Sequence, residues 1–547
     1  MNIIFENKTY GENDYQNTIK EYKCDWKKIK RVALVMKRSP KLLYLMYYFF
    51  KNGITFIPID VDQPINRIEY ILNNSCPDLI LSDINIGSRT DYIIEKVDWN
   101  QIAYILFTTG STGNPKGVAV TREALLNFIE GVSEIICFTP GKRIACLTTA
   151  SFDIFFLESV MALLKGLTVV LSNEDEQRNP KLMAKLIADN SVDMIQITPS
   201  RMQLLLNYDK ELSCLRNVSE ILIGGEPFPL NLLRTLKDKT NAKIYNMYGP
   251  TEATIWSTVS NLTHKDRIDI GRPIKNTEAY IVDERLFIVP NGQVGEICIA
   301  GKGLAKGYVG NDNLTAERFV YLPQNPEVRV YRTGDIGRYL IDGSLEYLGR
   351  CDNQVKIRGR RIELEEIESH LNQIDGIKQS VVIALETSES GKMIEAFYTS
   401  DDALDQKEII NYLSAKLPEY MIPVVFKRVE NFIQTQNGKI DRKRVLECVE
   451  IKSHDNLQIE YHMEKLNEVQ KKVYNIILST LDSKFGNVTL DTTFAEIGAD
   501  SITFITIVVA LECEFKFEFD DEMLLITAFP TIRSMIEYVE LKIHNVQ

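Results

Sequence analysis

The segment FTTGSTGNPKGV, Phe107 to Val118, brings together the hydroxyls of Thr108, Thr109, Ser111 and Thr112, the glycines Gly110, Gly113 and Gly117, and Lys116. Glycines let successive backbone N–H groups turn toward one anion, and hydroxyls with an ammonium add donors and charge. The chemistry this spacing suits is therefore phosphate binding. It is not a Walker A loop, because Lys116 is followed by Gly117 and not by Ser or Thr, and it is not a Rossmann fingerprint. A second candidate is Ser501 in IGADSI. No histidine lies between His462 and His544 and no G-x-S-x-G occurs, so nothing nearby would make this serine a nucleophile. By itself it reads as a helix N-cap. A third is Lys439 in NGKIDR, which alone would be a solvated charge in a turn.

These residues need elements to hold them. From Ala33 to about Ile223, β-rich runs (VALVM, FIPID, DLILSD, AYILFTTG, RIACLTT, TVVLS, MIQITPS) alternate with helical patterns such as PKLLYLMYYFFKNG and SVMALLKG. That alternation predicts βαβ units and parallel sheet. From about Ala279 to Leu348 the runs AYIVDE, GEICIAG and GSLEYLG, with Gly and Asn turns, predict antiparallel strands. A smaller α+β block follows to about Val449, then a polar linker, then a helical stretch. From Lys465 to Gln547 there are 13 acidic and 7 basic residues, a net charge of −6.

The chain has 547 residues, too many for one core, so two to four domains are expected. A net charge of −12 argues against a non-specific nucleic-acid binder. The longest apolar stretches fall short of a membrane span. Nine scattered cysteines without a C-x-x-C pair point to a reducing compartment, and the polar start MNIIFENKTYGEN does not read as a signal peptide, so a cytoplasmic enzyme is expected.

Further stretches come in a fixed order: FFKNGITFIPID, TTGSTGNPKG, FDIFFLE, NMYGPTEATI, GEICIAGKGLAKGY, YRTGD, GRCDNQVKIRGRRIELEEIE, LPEYMIP and NGKIDR. Together they resemble the adenylation domains of nonribosomal peptide synthetases, within the acyl-adenylate-forming superfamily, over nearly all of the chain to about residue 449. IGADSI resembles the phosphopantetheine attachment motif of a peptidyl carrier domain, with Ile497 and Ile502 in place of two leucines. The resemblance implies an α/β and α+β multidomain chain. Residues 1–350 would form a large core with parallel sheets and a β-rich subdomain. Residues 351–449 would form a small mobile α+β subdomain with its hinge at Asp352. Residues 450–466 would be a linker and 467–547 a four-helix-bundle carrier.

The reaction implied is carboxylate plus ATP giving acyl-AMP and pyrophosphate, with Mg²⁺. The resemblance assigns Thr108, Thr109, Gly110, Ser111, Thr112, Gly113 and Lys116 to the phosphates. It also gives Gly225 to the nucleotide, Asn246 and Tyr248 to adenine, Thr251 to the α-phosphate and Glu252 to Mg²⁺. Asp335, Tyr347 and Arg350 would hold the ribose. Lys439 would be the catalytic ammonium bridging carboxylate and α-phosphate. Ser501 would carry 4′-phosphopantetheine, attached by a phosphopantetheinyl transferase.

The amino-acid pocket implied by the same motifs is Asp153, Ile154, Leu157, Gln196, Leu222, Gly224, Met247, Ile255 and Trp256, closed by Lys439. Asp153 would pair with the α-ammonium. The remainder is bulky and holds no second charge for a charged side chain. The set resembles a glycine-activating pattern, with alanine or cysteine as alternatives. The chain departs from the pattern in a short N-terminus and in Phe155, where Ser is common. No condensation or thioesterase motif is visible, so delivery in trans to a condensation or other acceptor enzyme of a natural-product pathway is expected, with a small activator protein as a further partner. Two rival readings are a CoA or carrier ligase of the same superfamily and a catalytically inactive docking scaffold.

Overall fold

The computed structural model describes residues 1–84, 102–110, 114–352, 354–357, 359–387, 391–402, 404–433, 440, 442–448, 467–480, 490, 492–494, 501–517, 519–520, 523 and 528–546. The first compact unit holds residues 1–110 and 114–363, and the second begins at Leu364. Residues 351–363, read from the sequence as the start of the small subdomain, thus pack with the larger unit.

The β-rich runs of the first unit all form strands, but they divide between two sheets. Arg31–Val35, Thr55–Ile59, Leu79–Ser82 and Ile102–Thr108 are mutually parallel in one, with Lys116–Thr121 antiparallel beside Ile102–Thr108. Arg143–Cys146, Thr168–Leu171, Met194–Ile197, Glu220–Gly224 and Lys243–Tyr248 are parallel in a nine-stranded sheet. The N-terminus joins this sheet: Asn2–Phe5 pairs parallel with Thr168–Leu171, and Ile3 is fully buried.

The helix Pro40–Asn52 shows why its sequence folds as it does. Ser39 caps it by accepting from Leu42 N, Pro40 stands in its first turn, and Gly53 closes it at φ 77°. Its apolar residues run most of the way round, as suits a helix covered on both sides. One continuous apolar cluster joins Val32 and Phe56 of one sheet, Phe49 of this helix, Phe128 of Arg122–Ile135, and Val169 and Leu171 of the other sheet.

A third, antiparallel sheet contains Thr277–Val282, Gly295–Gly301, Asn325–Tyr339, Phe319–Leu322 and Leu345–Arg350. The fifteen-residue strand Asn325–Tyr339 at its centre was not evident in the sequence; it carries Asp335. A two-stranded hairpin, Val355–Ile357 with Arg360–Ile362, completes the unit.

In the second unit, Gln379–Thr387 and Gly391–Thr399 form an antiparallel pair, with Val425–Arg428 parallel to the latter. Arg442, from the NGKIDR stretch, is anchored there: it donates to Glu368 Oε2 at 2.5 Å and to Val382 O at 3.1 Å. Among the described residues the C-terminal stretch has three helices, Glu468–Thr480, Ser501–Phe515 and Ile532–Val546. Val473, Ile477, Phe504, Ile507, Leu511, Met535 and Val539 form their common core.

Phe155 has a clear place. It is fully buried, and the Arg38 guanidinium lies 5.2 Å from its ring centroid. Arg38 in turn donates to Ser172 O at 2.6 Å and to the carbonyls of Thr148 and Cys146, tying together the ends of two parallel strands. Phe155→Ala is therefore expected to cost about 3–5 kcal/mol in urea unfolding.

Candidate active site

The strands Ile102–Thr108 and Lys116–Thr121 pair antiparallel with Thr108 opposite Lys116, so the glycine-rich stretch turns between them. A Cβ on Gly110 would sit 2.1 Å from Asn114 O, a close approach only glycine permits. The Thr108 hydroxyl is buried with no hydrogen-bond partner. A buried orphan at the mouth of such a turn suits an anion that can accept from it.

Beside this turn lies a charged cluster. Glu252 is fully buried. It accepts from Tyr308 Oη at 2.7 Å, and Arg361 Nη1 stands 3.0 Å from each of its oxygens. Lys116 Nζ lies 3.7 Å from Glu252 and 3.8 Å from Glu363, with the Tyr308 ring 5.2 Å away. Burial works against ionisation of Glu252, but Arg361, Lys116 and Tyr308 outweigh it and hold the carboxyl far below its ordinary value. Burial, reinforced by Arg361, brings the Lys116 ammonium down to about 8 despite its two carboxylate neighbours.

That value has a consequence for phosphate binding. Above about pH 8 a free Lys116 is neutral and attracts phosphate less, so the KM for ATP is expected to rise about tenfold between pH 7 and 9. Lys116→Arg stays charged and is expected to flatten that rise.

A second group surrounds Asp335. Its Oδ2 accepts from Tyr248 Oη at 2.6 Å and its Oδ1 from Arg350 Nη1 at 2.6 Å. Tyr347 stacks obliquely near Tyr248, ring centroids 6.3 Å apart. Arg350 also forks onto Asp352, at 2.7 and 2.8 Å, and reaches Gln354 Oε1 at 2.8 Å. Burial opposes ionisation of Asp352, yet Arg350 holds its carboxyl below the ordinary value. Asn246 is buried and gives its amide N–H to Asp269 O at 2.8 Å.

The third group is an apolar pocket. Gln196 pairs with Leu222, and Gly224 with Met247, across three adjacent parallel strands. Alternation puts these four positions on one face of the sheet, while Ile195, Ile197, Ile221 and Ile223 serve the cluster on the other. Ile154 and Leu157 sit at the start of a helical segment, Leu157–Met161 being π-helical. Thr254 and Ile255 both adopt positive φ, 61° and 66°, an unusual conformation for two β-branched residues and one that accumulates at functional sites. Trp256 follows them, fully buried. A Cβ on Gly224 would meet Trp256 Cη2 at 2.7 Å and Met247 O at 2.5 Å, so the indole closes directly onto this glycine. Asp153 is buried and accepts from Ile154 N at 2.8 Å. Burial pushes its carboxyl up, with Thr251 and Ile154 pulling the other way. The indole N–H of Trp256, both amide atoms of Gln196 and the Tyr104 hydroxyl are buried without partners.

Three family models match the chain: an AMP-binding enzyme over residues 84–309, an AMP-binding enzyme C-terminal domain over 366–439, and a phosphopantetheine attachment site over 471–539. The dimodular nonribosomal peptide synthase of Bacillus subtilis (strain 168) is 38% identical over 440 residues, 75% of this chain and 18% of that protein. The chain belongs to the AMP-binding enzymes of the nonribosomal peptide synthetases.

The structure of holo-PA1221, a synthetase protein with adenylation and carrier domains bound to a vinylsulfonamide inhibitor, matches 99% of this chain and 94% of its own length. Its TM-score is 0.80 at 23% identity, a likeness of fold. Holo-AB3403, a four-domain synthetase bound to AMP and glycine, matches 98% of this chain and 41% of its own length, with a TM-score of 0.58 at 29% identity. The chain thus spans less than a fifth of the B. subtilis relative.

An adenylation domain of this family uses ATP with Mg²⁺, and the attachment domain carries 4′-phosphopantetheine. The donor set fits Mg²⁺ in part. Glu252 is a buried carboxylate at the anion end, and no group of three or more acidic, His or Cys ligands exists among the described residues. Mg²⁺ held by one carboxylate and substrate phosphates needs no such cage. For the phosphopantetheine arm, Ser501 opens the helix Ser501–Phe515, whose Phe504, Ile507 and Leu511 are fully buried in the carrier core.

Ser111, Thr112, Gly113 and Lys439 lie outside the described residues, as does the whole 450–466 linker. Gly225 directly follows the strand Glu220–Gly224. The sequence reading assigned no role to Arg361, Tyr308, Glu226 or Arg38. The signal for Arg361 was present: alternation across the Gly359 turn sets Lys356 opposite Arg361, on one face of the hairpin. Among the described residues no helix is long and apolar enough to cross a membrane.

Proposed function

We propose that this adenylation–carrier protein activates glycine as glycyl-AMP and loads it onto its own carrier domain, for transfer to a downstream condensation or other acceptor enzyme. The observation that carries the substrate is the close packing of Trp256 and Met247 against Gly224, together with the buried carboxylate of Asp153. A pocket filled by this indole suits a substrate without a side chain, and an α-ammonium answers the buried carboxylate of Asp153. The glycine-bound AB3403 structure, similar to this chain, supports the same choice.

Each of the chain's groups then has a task. Thr108, Thr109 and Lys116 hold the terminal phosphates. Asn246 accepts from the adenine amine, Tyr248 flanks the ring, and Asp335 takes the ribose hydroxyls while Arg350 keeps it ionised and oriented. Lys439 bridges carboxylate and α-phosphate as charge develops. Mg²⁺ on Glu252 would neutralise phosphate charge, and the phosphopantetheine arm would supply the thiol that accepts the aminoacyl group.

The test is intact-protein mass. After treatment with a phosphopantetheinyl transferase, ATP, Mg²⁺ and a pool of amino acids, the chain should gain the arm and then a glycyl mass. Ser501→Ala should gain neither, and Lys439→Ala should gain only the arm. The unpartnered Gln196 amide favours one second reading, a small side chain with a hydrogen-bonding atom such as cysteine. A cysteinyl mass in the same experiment would select it.

A further inference from the structure

The fully buried Glu158 reaches back along the chain. Its Oε2 accepts from Leu147 N and Thr148 N, each at 2.8 Å, and its Oε1 accepts from Thr148 Oγ1 at 2.6 Å. These bonds close a loop between residues 147 and 158, with Asp153 midway between Thr148 and Glu158. Ile154 and Leu157 lie on the same loop. The carbonyls of the fastened stretch also end on side chains. Leu147 O accepts from Arg201 Nη1 at 2.8 Å and from Gln177 Nε2 at 2.7 Å. Thr148 O accepts from Arg38, whose guanidinium faces the Phe155 ring. The strand Arg143–Cys146 thus runs on into two residues whose backbone polar groups are all held by side chains.

We propose that Glu158 is a positioning residue for the amino-acid substrate: by clasping Leu147 and Thr148 it fixes the loop that carries Asp153, and so the place where the α-ammonium binds. The proposal rests on the reading of Asp153 as the partner of that ammonium. Its physical basis is the cost of holding Asp153 ready. Burial disfavours the ionised Asp153 in the empty pocket, so a slack loop would let the carboxylate turn toward water and lose its aim. A loop closed at its base by three bonds to one buried carboxylate resists that movement before substrate arrives. Glu158 is itself costly to bury, and Thr148, Arg38 and Arg201 pull against the upward push of burial on its carboxyl.

The test compares glycine with glycolate, which keeps the carboxylate and lacks the ammonium, by pyrophosphate exchange on the full chain. Rates are taken per folded molecule from a parallel thermal melt. Asp153→Asn should remove the preference for glycine. Glu158→Asp keeps the charge but draws the carboxylate back by roughly 1.5 Å. It should lower the glycine-to-glycolate ratio of kcat/KM about tenfold, mainly through the KM for glycine. Glu158→Gln keeps the reach, its amide oxygen accepting from both N–H groups, and should stay near the wild-type ratio. In an Asp153→Asn background, Glu158→Asp should change the ratio no further, because the clasp acts through Asp153. Should Glu158→Asp not fold, Thr148→Val removes one bond of the three and should lower the ratio about threefold. A ratio unmoved by these two variants, or falling as far in the Asp153→Asn background, makes Glu158 a purely structural residue and overturns the inference. So does a ratio lowered by Glu158→Gln and kept by Glu158→Asp, which would make charge and not reach the cause. In each of these cases the proposed function stands. A preference for glycine that survives Asp153→Asn overturns the reading of Asp153 and the inference with it.

Discussion

In Trp256→Ala, pyrophosphate exchange is expected to lose its preference for glycine over valine by about 10²-fold in kcat/KM. A pocket cannot select glycine by attracting a side chain, because there is none. In the reading proposed above it selects by leaving no room, and the bulk that takes the room is Trp256, whose Cη2 packs 2.7 Å from where a Cβ on Gly224 would stand. Removing the indole opens a space that valine fills and glycine leaves empty. The glycine reaction should fall only modestly, since Asp153, the carboxylate proposed for the α-ammonium, is untouched. Were Trp256 merely a core residue, the same change would lower both substrates alike through the cavity it leaves, worth about 3–5 kcal/mol in stability. The ratio of the two rates separates these cases, and a thermal melt run in parallel shows how much of any loss is unfolding.

The strands were legible where the chain is β-branched and fully buried, as at Val32 to Val35 or Ile195 to Ile197. Such runs announce parallel sheet because both faces are covered. Their division into two sheets was not legible, because periodicity within a strand says nothing about its partner. The strand Asn2–Phe5 escaped for a related reason: only four residues long, in a polar context, it is stabilised by pairing with Thr168–Leu171, far along the chain. Phe155 was visible as a departure but not explicable, since its partner Arg38 lies on the other side of the phosphate turn in sequence.

The site divides the same way. The sequence named the pocket residues; in the structure Asp153, Gln196 and Gly224 are buried, and Ile154, Leu157, Leu222, Met247, Ile255 and Trp256 share one apolar cluster. What it did not convey is how groups of like role are joined. Arg350 fastens Asp335 to Asp352, so the expected ribose ligand and the expected hinge share one guanidinium. Glu252, expected to hold a metal, is held by Arg361. Such couplings depend on side chains meeting across elements, and no local pattern records them.

Asp153→Asn is expected to lower kcat/KM for glycine by roughly 10²- to 10³-fold, the cost of leaving a buried ammonium opposite a neutral amide. ATP binding is expected to change less than glycine binding, because Asp153 meets the phosphate side only through the Thr251 hydroxyl and the charge of Glu252. Stability should move the opposite way from activity. Burial raises the Asp153 carboxyl in the folded, substrate-free protein. A raised folded value means that the group favours folding below its unfolded value, and that this contribution is lost as pH rises through the folded value. At neutral pH the ionised Asp153 is therefore a cost to the free enzyme, and the isosteric amide relieves it. The variant should melt at or above the wild-type temperature while being nearly inactive. The pH profile adds an independent check. As pH falls through the folded value, wild-type Asp153 becomes neutral and the KM for glycine rises, whereas the KM of Asp153→Asn, already high, stays flat. A residue that only capped the short helix Ile154–Phe156 would lose stability and activity together, with no pH signature in the KM for glycine.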